Sequence, residues 1–505
     1  MLISSQAEEF SPMAGKNYMA FDLGASNGRA IVGHFDGEKL YLEVIHRFDN
    51  PMIQTPVYRH WDVLGLFREL MQALRAWAAR GEGELSSVGV DTWGVDFALL
   101  GRDGTLLGNP IAYRDPYTEG VMDSVIAALG RSFIFEQTGL QFMPINTLYQ
   151  LVALARRKAP QLEAADQLLM MPDLFHYFLT GERVVEFTDA TTTQCYNPRT
   201  GDWAWELIER VGLPRHIFSP VVPPGTRVGT LLRHISEETG VGAVEVIAPA
   251  SHDTGSAVAA VPAQGEDWAY ISLGTWALMG IEVRTPILSN EALAANFTNE
   301  GGVDGTYRFL KNITGLWLVQ ECRRIWARED GQATGWDDLI RMAAEAQPLR
   351  SFVNPDDLTF LSPADMPEAI RSYCQRTGQP IPETRGEVLR CALEGLALKC
   401  RYTADTLAHL RGKPLRVLHI VGGGIQNRLL CQFIANATGL PVIAGPIEAT
   451  AMGNILIQAM GQGHIGSLQE LRDVVRRSVA PEEYTPQDVA IWEEAYSRFQ
   501  KLLIT

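Results

Sequence analysis

The chain has 505 residues, 46% of them hydrophobic and 20% charged, with a formal net charge of −16. That length exceeds a single core and predicts two domains of about 200–250 residues each. The acidic balance argues against nucleic acid or an anionic membrane as a main partner, but leaves room for an anionic nucleotide held by backbone amides and a metal ion. Six scattered cysteines form no CxxC pair, so buried free thiols in a reducing compartment are expected rather than a zinc or redox site. Met1 to Lys16 carries Glu8 and Glu9 and no apolar segment. It reads as a loose extension, residues 1–16, and not as a signal peptide. With no stretch long enough to span a membrane, a cytoplasmic protein is expected.

In chain order, Tyr18 to Phe21 predicts a buried strand ending at Asp22-Leu23-Gly24. Arg29 to Phe35 and Lys39 to Phe48 predict two strands joined at the hairpin signal Asp36-Gly37. Trp61 to Ala79 predicts a helix, capped by Asp62, with Leu66, Leu70, Leu74 and Trp77 on one face and Gly81 as its stop. Val88 to Asp91 predicts a further strand.

This opening has an echo. Ala269 to Gly280 parallels Ala20 to Gly33, and both copies carry Leu-Gly followed within two residues by a hydroxyl, Ser26 or Thr275. Two domains of common architecture are expected, residues 17–262 and 263–505. They divide where Pro, Gly and charge interrupt the apolar pattern between Val261 and Asp267. Asp22 in the first copy is matched by Ser272 in the second, so only the first turn brings a carboxylate. Later, Glu387 to Leu410 predicts a helix stopped by Gly412, Arg416 to Val421 a strand, and Asn427 to Ala437 a helix after Gly422-Gly423-Gly424. The spans 120–240 and 290–382 are mixed, and pattern does not order their elements.

Several strings carry chemistry. Asp22 to Arg29 is a glycine turn that fits either plain turn formation, with Asp22 capping it, or phosphate binding. In the second role Asp22 holds magnesium through water and Arg29 offsets charge. No GxxxxGK[ST] loop and no GxGxxG after a strand is present. The three glycines 422–424 fit a ligand lying against backbone or tight strand-to-helix packing. Asp253, within Ser251-His252-Asp253-Thr254, fits a proton acceptor for an alcohol or the cap of a helix beginning near Thr254. A helix N-terminus would keep that carboxylate ionised. Gly94, in Asp91-Thr92-Trp93-Gly94-Val95-Asp96, fits a sugar site beside an aromatic face or a strand end with a core tryptophan. By spacing alone, Tyr113-Arg114-Asp115 and Asn312 read as surface loops.

Together these strings resemble the FGGY carbohydrate kinases. So do Asn146 to Leu151, Thr188 to Gln194, Leu273-Gly274-Thr275-Trp276, Ala294 to Gly302 and Lys311-Asn312, and the likeness runs from about Tyr18 to Ala480. It implies an α/β fold of two duplicated actin-like (ribonuclease H-like) domains flanking a central catalytic cleft. Asp91 to Phe97, Ser251 to Thr254 and Ala294 to Gly302 are most similar to members acting on L-rhamnulose. The implied reaction is ATP-dependent phosphorylation of the 1-hydroxyl of L-rhamnulose, giving L-rhamnulose 1-phosphate and ADP in L-rhamnose catabolism. Another ketose, L-fuculose, ribulose or xylulose, is the alternative. The resemblance makes Asp253 the proton acceptor and Gly94, His252, Asp253, Thr254 and Asn312 the sugar ligands. It makes Ala25, Ser26, Asn27, Gly28, Arg29, Thr275, Gln320 and Gly423 the nucleotide ligands, with ATP and Mg2+ required. The expected partners are the ketose and ATP, with no nucleic acid and no membrane, in a monomer or small homo-oligomer. Asn27, where serine is common, and Gly255, where alanine is common, depart from the pattern. A sugar-sensing regulator or chaperone-like ATPase on the same fold would need a basic DNA-binding segment or sugar-independent hydrolysis, and the −16 charge opposes the first.

Overall fold

Two central hairpins organise the chain. The computed structural model describes residues 15–361 and 363–503, so most of the predicted extension lies outside the described residues. β1 (Lys16–Leu23) and β2 (Asn27–Phe35) form the first hairpin, and β3 (Leu40–Asp49) adds to β2. α1 (Val63–Arg80) is capped by Asp62, which accepts from the Gly65 N–H, and ends at Gly81 in the left-handed region. Next come β4 (Leu85–Thr92), β5 (Thr226–Thr230), β6 (Glu245–Ala248) and the short α2 (Asp253–Ala259). The first sheet runs β5-β6-β4-β1-β2-β3, with β1 antiparallel to β2 and parallel to β4.

The chain then passes through residues 260–267 into β7 (Trp268–Leu273) and β8 (Trp276–Val283), a second hairpin. β9 (Thr298–Gly301), β10 (Tyr307–Thr314) and α3 (Trp317–Asp330) follow, then the long α4 (Arg385–Arg411). A capping box of Thr384 and Glu387 starts α4 and left-handed Gly412 stops it. β11 (Val417–Val421), α5 (Arg428–Thr438), β12 (Val442–Ala444), α6 (Ala449–Gly461) and β13 (Glu482–Tyr484) come next, with helices Leu468–Ser478 and Val489–Leu502 before and after β13. The second sheet runs β9-β10-β8-β7-β11-β12-β13. As in the first sheet, the hairpin's leading strand is antiparallel to its partner and parallel to a later strand, β11.

The two sheets share a core. Ile455 and Leu456 of α6 pack with Tyr18, Ala20 and Ile31 of the first sheet, and Ala257 and Val258 of α2 join the same cluster as Tyr270 and Val421 of the second. The helices cross at Gly453, where even a methyl group would overlap the Ser256 carbonyl. This seam fixes the C-terminal ends of β1, β4, β6 and β7 around one opening. The mixed span 120–240 contains helices Thr147–Arg156 and Met171–Thr180, each buried on most sides. Gln150, Asp173 and His176 are buried among the apolar residues of these helices, which blurs the stripe that periodicity relies on. Among the described residues no helix is long and apolar enough to cross a membrane, and all six cysteines are free and buried.

Candidate active site

The strand ends enclose a cleft of about 370 Å³ between the sheets. Asp22, Ala25, Ser26, Asn27, Arg29, Gly94, His252, Asp253, Thr254, Thr275, Asn312 and Gly423 all line it. A larger hollow of about 1410 Å³ borders Lys16, Glu82 and His464 at the opposite end of β1 and holds none of the predicted residues.

Asp253 is not a helix cap. His252 occupies the cap position and Asp253 is the first residue of α2. A third of the Asp253 side chain is open to the cleft. Its Oδ1 accepts from Thr254 Oγ1 at 3.0 Å and lies 3.5 Å from His252 Nε2, which leaves Oδ2 to meet an incoming hydroxyl. Burial pushes its carboxyl up, His252 pulls it down, and Asp22 pushes it up again, for a net rise. A carboxylate raised in this way is a stronger base than a solvated one.

The loop carrying Asp253 is held from beneath. Thr92 N–H donates to Ser251 O at 2.9 Å. Glu186 Oε2 accepts from Ser251 N–H at 3.0 Å, and from Thr188 N–H at 2.9 Å and Thr188 Oγ1 at 2.6 Å. Thr188 Oγ1 then accepts from His252 N–H at 3.1 Å. Glu186 is fully buried, and burial pushes its carboxyl up to about 8 against the pull of these donors.

Gly94 faces Thr192, which a Cβ would meet at 2.9 Å. The next residue, Val95, sits at φ 68°, a left-handed conformation that a β-branched side chain disfavours. It is held by Thr192 Oγ1 on its N–H at 3.0 Å and by Thr147 Oγ1 on its carbonyl at 2.6 Å. Asp96 is completely buried and gathers donors from Trp61 at 2.6 Å, Trp93 at 3.0 Å, Gln150 at 3.1 Å and the Tyr113 N–H at 3.2 Å. Tyr113 and Asp115 are buried and Asn312 lies within β10, so the surface-loop expectation for these segments is overturned. The Asn312 side chain donates to Gln141 Oε1 at 3.2 Å.

On the opposite side, the turn between β1 and β2 is closed by Gly24 N–H donating to Asn27 O at 2.9 Å, and that between β7 and β8 by Gly274 N–H donating to Trp276 O at 2.8 Å. Arg29 is tied to Asp22 and to Glu448, the residue preceding α6. Gly28 lies outside the cleft lining, its Cα faced by the Phe48 ring. Gln320, on α3, reaches the cleft only through Thr275, whose Oγ1 donates to it at 3.1 Å. The three glycines divide by position. Gly422 and Gly424 pack on Leu273, whereas a Cβ on Gly423 would meet nothing within 4 Å. Packing accounts for the outer two and open space for the middle one.

Pattern reading assigned no role to Glu186, Glu300, Arg308, Gln141 or Glu448. Glu300 lies inside the Ala294 to Gly302 string, on the short polar strand Thr298–Gly301, whose pattern does not mark it as a charge partner. Burial pushes the Glu300 carboxyl up, but the carboxyl still lies below its ordinary value, drawn down by the buried Arg308 guanidinium beside it.

Residues 17–260 match the N-terminal domain of the FGGY family of carbohydrate kinases and residues 269–461 its C-terminal domain. The chain is 48% identical to a rhamnulokinase of Bacteroides thetaiotaomicron over 96% of this chain and 99% of that one. It is 44% identical to one of Pectobacterium carotovorum over 97% of each. Its fold is similar to a ligand-bound xylulose kinase of Lactobacillus acidophilus, with TM-score 0.81, 16% identity and coverage of 96% and 97%. It is also similar to a glycerol kinase of Plasmodium falciparum with ADP, with TM-score 0.76, 15% identity and coverage of 97% and 98%. The expected two-domain α/β architecture is therefore the one found. Matched in both halves and in near-complete length, the chain belongs to the FGGY family of carbohydrate kinases.

Proposed function

We propose that the protein transfers the γ-phosphoryl group of ATP to the 1-hydroxyl of L-rhamnulose, giving L-rhamnulose 1-phosphate and ADP in L-rhamnose catabolism. The observation that carries this reading is Asp253, open to a cleft with Oδ2 free, between a sugar-sized wall and two glycine turns. The near-full-length identity to proteins named rhamnulokinase supports the sugar. In this reading the unit 17–262 carries the base, the first turn and the sugar wall of Gly94, His252 and Thr254. The unit 263–505 supplies Asn312 and the second turn, with Gly423 against the nucleotide. Ala25, Ser26, Asn27 and Arg29, with Thr275 steadied by Gln320, face the phosphates.

Asp253 accepts the hydroxyl proton as the oxygen attacks, which is worth about 10²–10⁴-fold, or about 3–5 kcal/mol. Positioning and backbone donors supply the remainder. The residues fit a magnesium ion. Asp22, Asp91 and Asp253 interact with one another, and the buried Asp91 Oδ1 has no hydrogen-bond partner. Among the described residues no ready-made cage of three ligands exists. That suits a cation held by Asp22 through water and by phosphate oxygens. When bound, it neutralises charge on the phosphates. The buried free thiols support a cytoplasmic protein, and the −16 charge one without a nucleic-acid or membrane partner.

Asp253→Asn tests the base. Turnover nearly vanishes while ATP binding stays measurable, and near-normal turnover would refute the assignment. ADP release over a panel of L-rhamnulose, L-fuculose, ribulose and xylulose tests the sugar, with L-rhamnulose expected to give the highest kcat/KM.

A further inference from the structure

His252 meets three charged groups, and two of them require opposite protonation of the same nitrogen. Its Nδ1 lies 3.1 Å from Arg308 Nη2 and 3.4 Å from Glu300 Oε2. Its Nε2 lies 3.5 Å from Asp253 Oδ1. A guanidinium only donates, so Arg308 requires a bare Nδ1, whereas an ionised Glu300 would require Nδ1–H.

Geometry decides between them. Arg308 is completely buried and cannot swing away, because its Nε–H donates to Gly301 O at 2.7 Å. Its Nη1 lies 3.3 Å from Glu300 Oε2, yet neither atom has a hydrogen-bond partner. Glu300 thus serves as counter-charge to Arg308, and the shorter contact to the ring belongs to the guanidinium. A proton on Nδ1 would face an Arg308 N–H at 3.1 Å, a donor against a donor.

We propose that Arg308 is a positioning residue that fixes His252 as the neutral Nε2–H tautomer, so that the ring always presents a donor to the cleft. That donor points toward Asp253 Oδ1, the oxygen already engaged by Thr254 Oγ1 at 3.0 Å. With Oδ1 engaged, Oδ2 stays free, and the Nε2–H is available to a sugar hydroxyl oxygen. Glu300 and Arg308 come from β9 and β10 of the second sheet, while His252 precedes α2 of the first unit. The tautomer is therefore set across the two halves. The role toward sugar rests on the kinase reading above, but the tautomer itself does not.

The test separates the two. Long-range ¹H–¹⁵N spectra of histidine-labelled protein, recorded without sugar at neutral pH, report the tautomer, and His252→Gln identifies the signal. Nε2–H is expected; Nδ1–H, or protons on both nitrogens, overturns the proposal whatever the substrate proves to be. An Nε2–H ring in a protein that phosphorylates no ketose would sink the kinase reading and leave this one standing. Arg308→Met removes the donor and lets Glu300 draw the proton to Nδ1, lowering kcat/KM for the ketose about 10–100-fold with KM for ATP little changed. Adding Glu300→Gln supplies an amide donor to Nδ1 and removes the unpaired charge, so both the Nε2–H signal and most of the lost kcat/KM return. A double variant whose tautomer returns without activity, or whose activity returns without the tautomer, refutes the link. If Arg308→Met does not fold, the wild-type spectrum alone decides.

Discussion

Gly453→Ala tests the seam on which the catalytic carboxylate stands. A Cβ at Gly453 of α6 would sit 1.8 Å from Ser256 O and 2.5 Å from its carbonyl carbon. Since real Cβ atoms keep beyond about 3.0 Å, the helices must part by about 1.2 Å along that line. Helix propensity argues the other way, because alanine for glycine in a helix interior stabilises by roughly 0.5–1 kcal/mol. Overpacking a filled seam costs roughly 1–3 kcal/mol. Here the obstacle is backbone, which has no rotamer to escape into, so the upper end applies and a net loss of about 2 kcal/mol is expected. Ser256 is three residues from Asp253 on the same short helix, so most of the shift reaches the base. A misplacement of about 1 Å at a reacting centre costs on the order of 10²-fold in rate. The assay pairs sugar-dependent ADP release with urea denaturation. Turnover about 100-fold down with stability reduced is the expected outcome. Wild-type turnover, or a stability gain of propensity size, would refute the helix contact and the placement of Asp253 upon it.

Three further outcomes follow from the buried carboxyls. The acid limb of kcat/KM should fall at a pH above the ordinary aspartate value of 3.8, because the Asp253 carboxyl is raised and its protonated form accepts nothing; a pH–rate profile with an unshifted limb refutes this. Glu186 keeps a proton when folded up to about 8 that the unfolded chain loses near 4.5. Its contribution to stability is thus fully present below 4.5 and is lost as pH rises toward 8. The stability of the wild type relative to Glu186→Gln, measured in denaturant across that window, should decline with pH, and a flat difference refutes it. Asp96→Asn turns one acceptor oxygen into an amide NH2 donor among four converging donors, and should cost about 1–3 kcal/mol in urea denaturation; unchanged stability would mean that the tryptophans are held by packing alone.

Local chemistry was legible where the chain enforces it locally. The hairpin at Asp36-Gly37, the Asp62 and Gly81 ends of α1 and the Gly412 stop of α4 needed only neighbours in sequence, and each lies where expected. Asp253 was found in the cleft, but its helical register was off by one. The cap position fell to His252, which makes no side-chain capping bond, so cap preferences had nothing to register. Glu186, Glu300 and Arg308 were not legible in role. Glu186 meets Ser251 65 positions away and Arg308 meets His252 56 positions away, while Glu300 and Arg308 face each other only once β9 and β10 pair; a buried charge inside a strand string looks like any other polar residue until the fold brings those partners. Asn312 was misread because a strand whose cleft face is polar alternates too weakly to show.

The two hairpins are alike in pairing and unlike in charge, and that difference gives the walls of the cleft different roles. Asp22 pairs in register with Asp91 across β1 and β4, whereas the equivalent Ser272 pairs with Val421 across β7 and β11. The first wall therefore gathers Asp22, Asp91 and Asp253, and burial, then repulsion from Asp22, pushes the Asp91 carboxyl well up. The second wall offers Ser272, Thr275 and Gly423, which are neutral. Two acidic turns facing each other would expel a nucleotide, and two neutral ones would hold phosphates with neither cation nor base. One acidic and one neutral turn let the first wall hold magnesium and take a proton while the second receives phosphate oxygens. Ser272→Asp would place a fourth carboxylate opposite the other three. It should weaken ATP binding far more than ketose binding, and calorimetry showing the reverse order would exclude this division of the walls.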